Sequence, residues 1–230
     1  MPATPRLSII IPVLDEATTI ESLLTQLLGL WVCGAELLVV DGGSRDDTVA
    51  LATPLATRVL HSPPGRAAQM NVGARVARGQ QLLFLHADTH LPRRADRLVD
   101  EALAGNRCWG RFDIRLTGRH PMLPVIAAAM NLRSRLSGIA TGDQALFMTR
   151  EAFDAVGGFP DQPLMEDIEM SRRLKRLSAP ACLHHKVVSS GRRWETHGVW
   201  ATIRLMWRLR FRYWRGVSAD SLAREYRHVR

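Results

Sequence analysis

Short apolar runs alternate with amphipathic stretches over the first ninety residues of the chain. Four runs, rich in leucine and β-branched residues, each lead into polar residues or glycines: LSIIIPVLDE at 7–16, AELLVVDGGS at 35–44, TRVLHSPPGR at 57–66 and QLLFLHAD at 81–88. The runs are apolar without alternation, which is typical of strands that helices cover on both faces. The pattern therefore predicts an α/β fold with a mostly parallel, Rossmann-like sheet.

The segments between these strands have the spacing of helices. The first, TTIESLLTQLLGL, has a buried stripe at helical intervals, and Thr18 with Glu21 forms the pattern of a capping box. The second helix is expected to begin near Asp46. The remaining predicted elements are helices near 66–78, 93–104, 123–136, 151–156 and 165–177, and strands near 109–116 and 145–148.

Polar residues and glycines follow all four predicted strands. Because ligands of open α/β sheets bind beyond the carboxyl ends of the strands, these residues are expected to share one ligand-binding edge. They are Pro12, Leu14 and Glu16, then Asp41, Gly43 and Ser44, then Gly65 and Arg66, and last His86, Ala87 and Asp88. A nucleotide would suit such an edge. The alternatives are a turn with a helix cap around Asp41 and a solvated surface arginine at Arg66.

Two pairs of ionisable residues point to chemistry. His86 and Asp88 are two apart in an extended segment, so their side chains point to the same side. Asp88 is the kind of hard oxygen ligand that Mg²⁺ or Mn²⁺ prefers, whereas His86 is either a second ligand or a structural group. Glu166 and Asp167 begin a predicted helix. The helix dipole explains one of these carboxylates, and the other could be a general base for a hydroxyl group.

The order of these segments resembles the inverting glycosyltransferases of family 2, which have the GT-A nucleotide-sugar-binding fold. The matching segments, within 6–197, are SIIIPVLDE, VVDGGSRDDT, GRAAQMNVGARVARGQQLLFLHADT, GDQALFMTREAFDAVGGF and MEDIEMSRRLKR. The resemblance extends to short, stand-alone bacterial members, some of which are associated with arsenosugar biosynthesis. It implies transfer of a sugar from a UDP- or GDP-sugar to an acceptor hydroxyl with inversion, assisted by a divalent cation, Mn²⁺ or Mg²⁺.

The resemblance also implies roles for individual residues. Asp167 would be the catalytic base, with Glu166 as the alternative. Asp88 would hold the metal ion, with His86 and His197 as further candidate ligands. The residues that would bind the substrates are Pro12, Leu14, Glu16, Asp41, Gly43, Ser44, Gly65, Arg66, Asn71, Ala87, Gly142, Asp143, Gln144, Arg193 and Trp194.

The sequence departs from the family pattern at two places. His86 stands where the family usually has the first aspartate of its D-x-D motif, which leaves metal dependence open. Arg192-Arg193-Trp194 resembles the end of the Q-x-x-R-W motif of larger members but lacks its glutamine. The alternative for His197 is an unpaired surface histidine.

Positive charge is concentrated at the end of the chain. The 230 residues are 46% apolar and carry a formal charge of +9, yet residues 191–230 hold ten arginines against three acids, which leaves +2 for the first 190. At helical spacing, 199–215 separates two sets of residues: Trp200, Ile203, Trp207, Phe211 and Trp214, and Arg204, Arg208, Arg212 and Arg215. Such a basic amphipathic helix is expected either to lie on an anionic membrane or to pack its tryptophans against the body of the protein.

The chain is thus predicted to contain a domain at 1–197 and a basic helical segment at 198–230. The first part of the domain, about 1–90, would bind the nucleotide, and 91–197 would bind a small-molecule or lipid-linked acceptor. Three separated cysteines and the lack of a secretory signal predict a cytoplasmic protein, peripheral at the inner face of the membrane if the helix binds lipid.

Two other functions stay open at this point. A sugar-1-phosphate nucleotidyltransferase would use the same sheet edge, but it would usually have a glycine-rich loop with Arg or Lys after the first strand, where this chain has PVLDE. A non-enzymatic membrane or nucleic-acid binding module would leave the carboxylates at three strand and helix ends unexplained. No nucleic-acid partner is expected, because the body of the protein is nearly neutral.

Overall fold

The computed structural model describes residues 4–228, and within this range eight strands form one sheet. The strands are β1 Leu7–Val13, β2 Glu36–Asp41, β3 Arg58–His61, β4 Gln81–Phe84, β5 Thr89–His90, β6 Trp109–Thr117, β7 Phe147–Thr149 and β8 Ala181–Ser190. The helices are α1 Ile20–Val32, α2 Thr48–Ala52, α3 Arg66–Val76, α4 Ala95–Leu103, α5 Leu123–Ser137, α6 Arg150–Ala155, α7 Glu166–Leu174, α8 Arg192–Thr196, α9 Val199–Trp214 and α10 Ala219–His228, and a 3₁₀ turn spans Gly142–Gln144. Across the sheet the order is β3-β2-β1-β4-β7-β6-β8-β5.

The first four strands form the parallel half of the sheet, with helices on both faces. β1 pairs in parallel with β2 and β4, and β2 pairs in parallel with β3. Ile9 and Ile11 pack into one hydrophobic cluster with the leucines of α1, whereas Ile10 packs into another with Met70 of α3. Every residue of β1 and β2 is buried, which is why these strands lack polar alternation. The predicted α/β fold is confirmed.

The second half of the sheet is mixed. β7 is antiparallel to β4 and β6, β5 is antiparallel to β8, and β6 is parallel to β8. The sequence did not predict β8, because this strand lies next to the edge of the sheet and only three of its residues, Ala181, Val187 and Ser189, are fully buried. Its sequence therefore lacks the apolar run of a central strand.

The start of α1 differs from the expected capping box. The helix begins at Ile20, so Thr19 is the residue before it, and Thr19 makes no side-chain bond to the helix amides. Its hydroxyl instead donates to the carboxylate of Glu16 over 2.9 Å. The Thr18–Glu21 box is wrong because the helix starts one residue later than that pairing requires.

The C-terminal helices pack on α7. Leu209 of α9 and Leu222 of α10 form a small buried cluster with Met165 and Ile168. The predicted helix at 199–215 is confirmed as α9, whereas the division of the chain at 197/198 stays a prediction. Within residues 4–228 no helix has the length and apolarity needed to cross a bilayer.

Two glycines in helices should respond in opposite ways to alanine. A Cβ at Gly73 would lie 2.5 Å from Cγ2 of Ile10, where α3 touches β1, so Gly73→Ala should cost about 1–3 kcal/mol of unfolding free energy. A Cβ at Gly29, in α1, would meet nothing within 4 Å, so Gly29→Ala should stabilise the protein by about 0.5–1 kcal/mol. Urea unfolding measures both changes, and a stabilised Gly73→Ala variant would contradict this packing.

Candidate active site

The loops that follow β1 and β2 are joined by hydrogen bonds. The amide of Asp15 donates to Oγ of Ser44 over 2.9 Å, and the amide of Arg45 donates to Oδ1 of Asp15 over 2.8 Å. The amide of Glu16 donates to Oγ1 of Thr48 over 2.8 Å. These bonds hold the two loops side by side at the carboxyl edge of the sheet, with Pro12 buried and Leu14 47% exposed.

Asp41 ends β2 as a buried carboxylate. It accepts hydrogen bonds from the amide of Gly43 over 3.0 Å and from the amide of Ser44 over 3.1 Å. Burial alone would raise the pKa of Asp41, but the bonds from Ser44 and Gly43 outweigh this effect and lower it. Gly43 has a φ of +97°, which a residue with a side chain rarely adopts. Asp41 is therefore an ionised hydrogen-bond acceptor within a glycine turn. Its part in forming the turn is compatible with a part in binding a ligand.

Two amide side chains of α3, those of Gln69 and Asn71, bind neighbouring backbone groups. Nε2 of Gln69, a residue that the sequence did not single out, donates to the carbonyls of Val13 and Val40 over 2.7 and 2.8 Å. Asn71 was expected to bind substrate, but its side-chain amide donates to the carbonyl of Phe159 and accepts from the amide of Phe159, each over 2.9 Å. Both polar groups of the Asn71 side chain thus position the loop before α7.

The 3₁₀ turn brings the loop after β4 and the start of α7 together. Oδ2 of Asp167 accepts a hydrogen bond from the amide of Gly142 over 2.9 Å, and Oδ1 accepts one from the amide of Ile168 over 2.7 Å. Nδ1 of His86 lies 3.0 Å from Oδ1 of Asp143. A Cβ at Gly142 would lie 2.5 Å from Nε2 of His86, so the imidazole fits only because this residue is glycine. His86, Asp143 and Asp167 are thus neighbours in space.

The pKa values of three neighbouring acids, Asp143, Glu166 and Asp167, are shifted in different directions. Burial raises the pKa of Asp167, and the charge of Asp143 adds to the increase, although two amide bonds oppose it. Burial and repulsion from Asp167 likewise raise the pKa of Glu166. Desolvation would raise the pKa of Asp143 too, but the hydrogen bond from His86 and the charge of Arg66 prevail and lower it to about 2. Asp143 is therefore a fixed anion, and Asp167 is the stronger base.

Arginines from three helices surround these acids. Arg66 begins α3 after Gly65, whose φ is +137°, and its side chain is exposed. The carboxylates of Glu166 and Asp143 outweigh the partial desolvation of Arg66 and raise its pKa. The guanidinium of Arg193 in α8 stacks on the ring of Tyr226, 5.0 Å from its centroid. The third arginine, Arg133 of α5, was missed because nothing local distinguishes it from the many other arginines of the chain.

Three residues predicted to bind substrate pack within the protein. Gln144 is fully buried, and its Oε1 accepts a hydrogen bond from the amide of Thr141 over 3.2 Å, which completes a capping box of the 3₁₀ turn. Trp194 is partly buried and packs against the hydrophobic cluster that contains Ile9, Ile11 and the leucines of α1. Ala87 is also buried, at the end of β4.

Asp88 has the surroundings of an open metal ligand. Its carboxylate is partly buried, and among the described residues its one side-chain hydrogen bond is a long one, 3.4 Å from the hydroxyl of Thr89. Residues 4–228 contain no group of three or more His, Cys, Asp or Glu that could enclose an ion. Mg²⁺ is commonly bound by one or two carboxylates together with substrate phosphates and water. Asp88 therefore fits a cation whose other ligands would be substrate phosphates and water.

The two candidate histidine ligands have other surroundings. His86 is held between Asp143 and Gly142, so its Nδ1 has a partner other than a cation. His197 follows α8. It lines a cavity of about 160 Å³ together with Arg193 of α8 and Tyr226 of α10. Within the described residues, Asp88 is thus the main candidate metal ligand after β4.

Known proteins resemble this chain in sequence and in fold. The model of the family described as "Glycosyl transferase family 2" matches residues 8–159. A "PGL/p-HBAD biosynthesis glycosyltransferase" of Mycobacterium bovis is 38% identical over 97 residues, which are 39% of this chain and 38% of that protein. The chain thus spans well under half the length of this relative.

Two solved structures share the fold. The mannosyltransferase PcManGT from Pyrobaculum calidifontis, in complex with GDP-Man and Mn²⁺, has a TM-score of 0.62 and 21% identity, over 81% of this chain and 57% of that one. TarS 1-349 of S. aureus, in complex with UDP, has a TM-score of 0.66 and 17% identity, over 80% of this chain and 60% of that one.

Proposed function

The chain belongs to glycosyl transferase family 2 and has the GT-A fold of its structural neighbours, and on this basis we propose that it transfers a sugar from a UDP- or GDP-sugar to an acceptor hydroxyl with inversion. The observation that carries the proposal is the contact of Asp167 with Gly142, beside the His86–Asp143 pair. This contact supports the proposal because it holds the candidate base beside the ligand-binding edge of the sheet, where Asp41 and Asp88 also lie. The narrower resemblance to the arsenosugar-associated group stays a prediction.

The order of the strands supports an order of subsites for the donor. Asp41 ends β2, Asp88 follows β4, and Asp143 precedes β7, so these carboxylates follow one another along the edge β2-β1-β4-β7. The nucleoside would contact the Asp41 end, and the diphosphate would lie near Asp88. Arg66 and Arg193 supply positive charge for the diphosphate oxygens. A divalent cation on Asp88 would act as a Lewis acid that offsets the charge of the departing diphosphate.

Asp167 is proposed as the base. The bonds from the amides of Gly142 and Ile168 fix its orientation, and its raised pKa brings it closer to that of an effective general base at neutral pH. The acceptor oxygen forms the new bond to the anomeric carbon while its proton passes to Asp167. The bond from that carbon to the diphosphate oxygen breaks on the opposite side, so one displacement inverts the configuration. Glu166 is the alternative base, but its side chain is buried.

Replacing Asp167 should separate chemistry from donor binding. Asp167→Asn should lower the rate of transfer by about 10²–10⁴-fold and change the Kd of the nucleotide by no more than about twofold, because the base does not contact the nucleotide. In the wild type, the rate should rise with pH through a pKa above 3.8, because only the ionised carboxylate takes the proton. Asp161→Asn, at an exposed loop position, is the control. An equal loss of binding and transfer would make Asp167 structural.

The metal role can be tested by thermal stability. UDP or GDP with Mn²⁺ should raise the Tm of the wild type, since a ligand at about 100 times its Kd stabilises the folded state by about 2.7 kcal/mol. Asp88→Ala, or an excess of chelator, should remove most of the Mn²⁺-dependent increase. Asp154→Ala, on the exposed side of α6, should retain it. Full transfer by the wild type in excess chelator would refute metal assistance.

We also propose that α9 contacts an anionic membrane. Trp200, Trp207, Phe211 and Trp214 lie on one face of the helix and are 65%, 73%, 56% and 69% exposed. The opposite face, with Leu209, packs on α7. The tryptophans therefore do not pack against the body, which was the competing expectation. Aromatic side chains flanked by arginines are typical of helices that lie in the interface of anionic bilayers.

Flotation with vesicles tests this contact. The wild type should float with vesicles that contain phosphatidylglycerol and should bind pure phosphatidylcholine far less, because the flanking charges include the exposed Arg204 and Arg215. The double variant Trp207→Ala with Trp214→Ala should lose most of the binding. Trp31→Ala, which removes a half-exposed tryptophan from α1, should float like the wild type. Equal losses in the control and the double variant would count against a specific role for α9.

A further inference from the structure

One edge of the guanidinium group of Arg133, in α5, is buried and makes no hydrogen bond with the described residues. Its Nε and Nη2 atoms are buried and have no hydrogen-bond partner within residues 4–228. These two nitrogens lie on the same edge of the planar guanidinium, which is the edge that binds a carboxylate or phosphate through two parallel hydrogen bonds. Burying such donors without a partner costs free energy. An anion that fits this edge would recover that cost on binding.

The nearby acids do not occupy this edge. The carboxylates of Asp167 and Asp143 lie close enough to favour the positive charge of Arg133. However, Asp167 accepts its hydrogen bonds from the amides of Gly142 and Ile168, and Asp143 contacts His86. The charge of Arg133 is therefore partly balanced, whereas its hydrogen-bonding edge has no partner among residues 4–228.

Arg133 is carried by a helix that packs on β6, away from the strands that would bind the nucleoside. α5 is fixed to β6, because the side chain of Asn131 accepts from the amide of Ile114 over 2.8 Å and donates to its carbonyl over 3.0 Å. In the sheet order β1-β4-β7-β6, β6 is three strands away from β1, which is roughly 14 Å at ordinary strand spacing. The diphosphate already has Arg66, Arg193 and a cation on Asp88. Arg133 is a further cation close to Asp167, and it belongs to the helix that packs on β6.

We propose that Arg133 binds a carboxylate or phosphate group of the acceptor, so that the acceptor is an anionic hydroxyl compound. This inference rests on the proposed sugar transfer. Bidentate binding would fix the acceptor at a point beside Asp167 and direct its hydroxyl toward that carboxylate. Holding the acceptor in this way lowers the entropy cost of bringing two reactants together. Arg133 is thus assigned as a binding residue and takes no part in proton transfer.

The test uses the full chain saturated with Mn²⁺ and whichever of UDP or GDP stabilises it. Calorimetric titration compares three hydroxyl probes: D-glycerate, glycerol 3-phosphate and uncharged glycerol. At least one anionic probe should bind the wild type about tenfold more tightly than glycerol, and the probe that does so identifies carboxylate or phosphate. Arg133→Gln should weaken that probe by about 10–100-fold, because two charge-assisted hydrogen bonds are lost, and should leave nucleotide affinity within about twofold.

Two further variants complete the design. Arg97→Gln, on the exposed surface of α4, removes the same charge elsewhere and should bind all probes like the wild type. Arg133→Lys keeps the charge but lacks the two-pronged edge, so it should weaken the anionic probe by about fivefold or more. This variant decides the question if Arg133→Gln does not fold.

The outcomes separate this inference from the proposed function. Equal binding of all three probes by the wild type, or unchanged binding by Arg133→Lys, would overturn the acceptor role. Weaker nucleotide binding by Arg133→Gln would assign Arg133 to the donor instead and would also overturn it. If the wild type bound neither nucleotide, the proposed sugar transfer would fail and this inference with it. If it bound nucleotide and transferred sugar but ignored the charge of the probes, this inference alone would fail.

Discussion

The hydrogen bond from the amide of Gly142 to the carboxylate of Asp167 holds the candidate active site together. It joins the 3₁₀ turn before β7 to the first turn of α7, two segments 25 residues apart in the chain. Because Gly142 has no Cβ, the imidazole of His86 can pack against it and reach Asp143. One backbone contact thus aligns a candidate base, a fixed anion and the end of the parallel half of the sheet. A side chain at position 142 would collide with the imidazole of His86.

Electrostatics gives the acids of this cluster different tasks. Burial and mutual repulsion make Asp167 and Glu166 hold their protons more tightly, whereas His86 and the nearby arginines keep Asp143 ionised. Two carboxylates with separated pKa values are a common basis for assigning acid and base roles. The charges of Arg66 and Arg193 favour the ionised form of Asp143, and the charges of Asp167 and Asp143 in turn favour the charged form of Arg133.

The C-terminal helices link this chemistry to the surface of the molecule. Leu209 and Leu222 pack against Met165 and Ile168, which flank the Glu166-Asp167 pair in sequence. On the same helices, Arg208 and Arg212 form ion pairs with Glu225, so part of the basic charge stabilises the helix pair itself. The helix with the exposed aromatic face thus also packs against the start of α7, which carries the candidate base.

The sequence alone determined the parallel strands β1 to β4, the helices between them and the polar edge, because each depends on local periodicity and on residues that follow a strand directly. The ordered motifs also identified the family. Only the tertiary structure revealed β8, the His86–Asp143 pair and the open edge of Arg133. His86 and Asp143 are 57 residues apart, and Arg133 is one arginine among many with no local signal. Such features depend on which distant segments the sheet brings together, and that arrangement is set by packing and pairing across the whole domain.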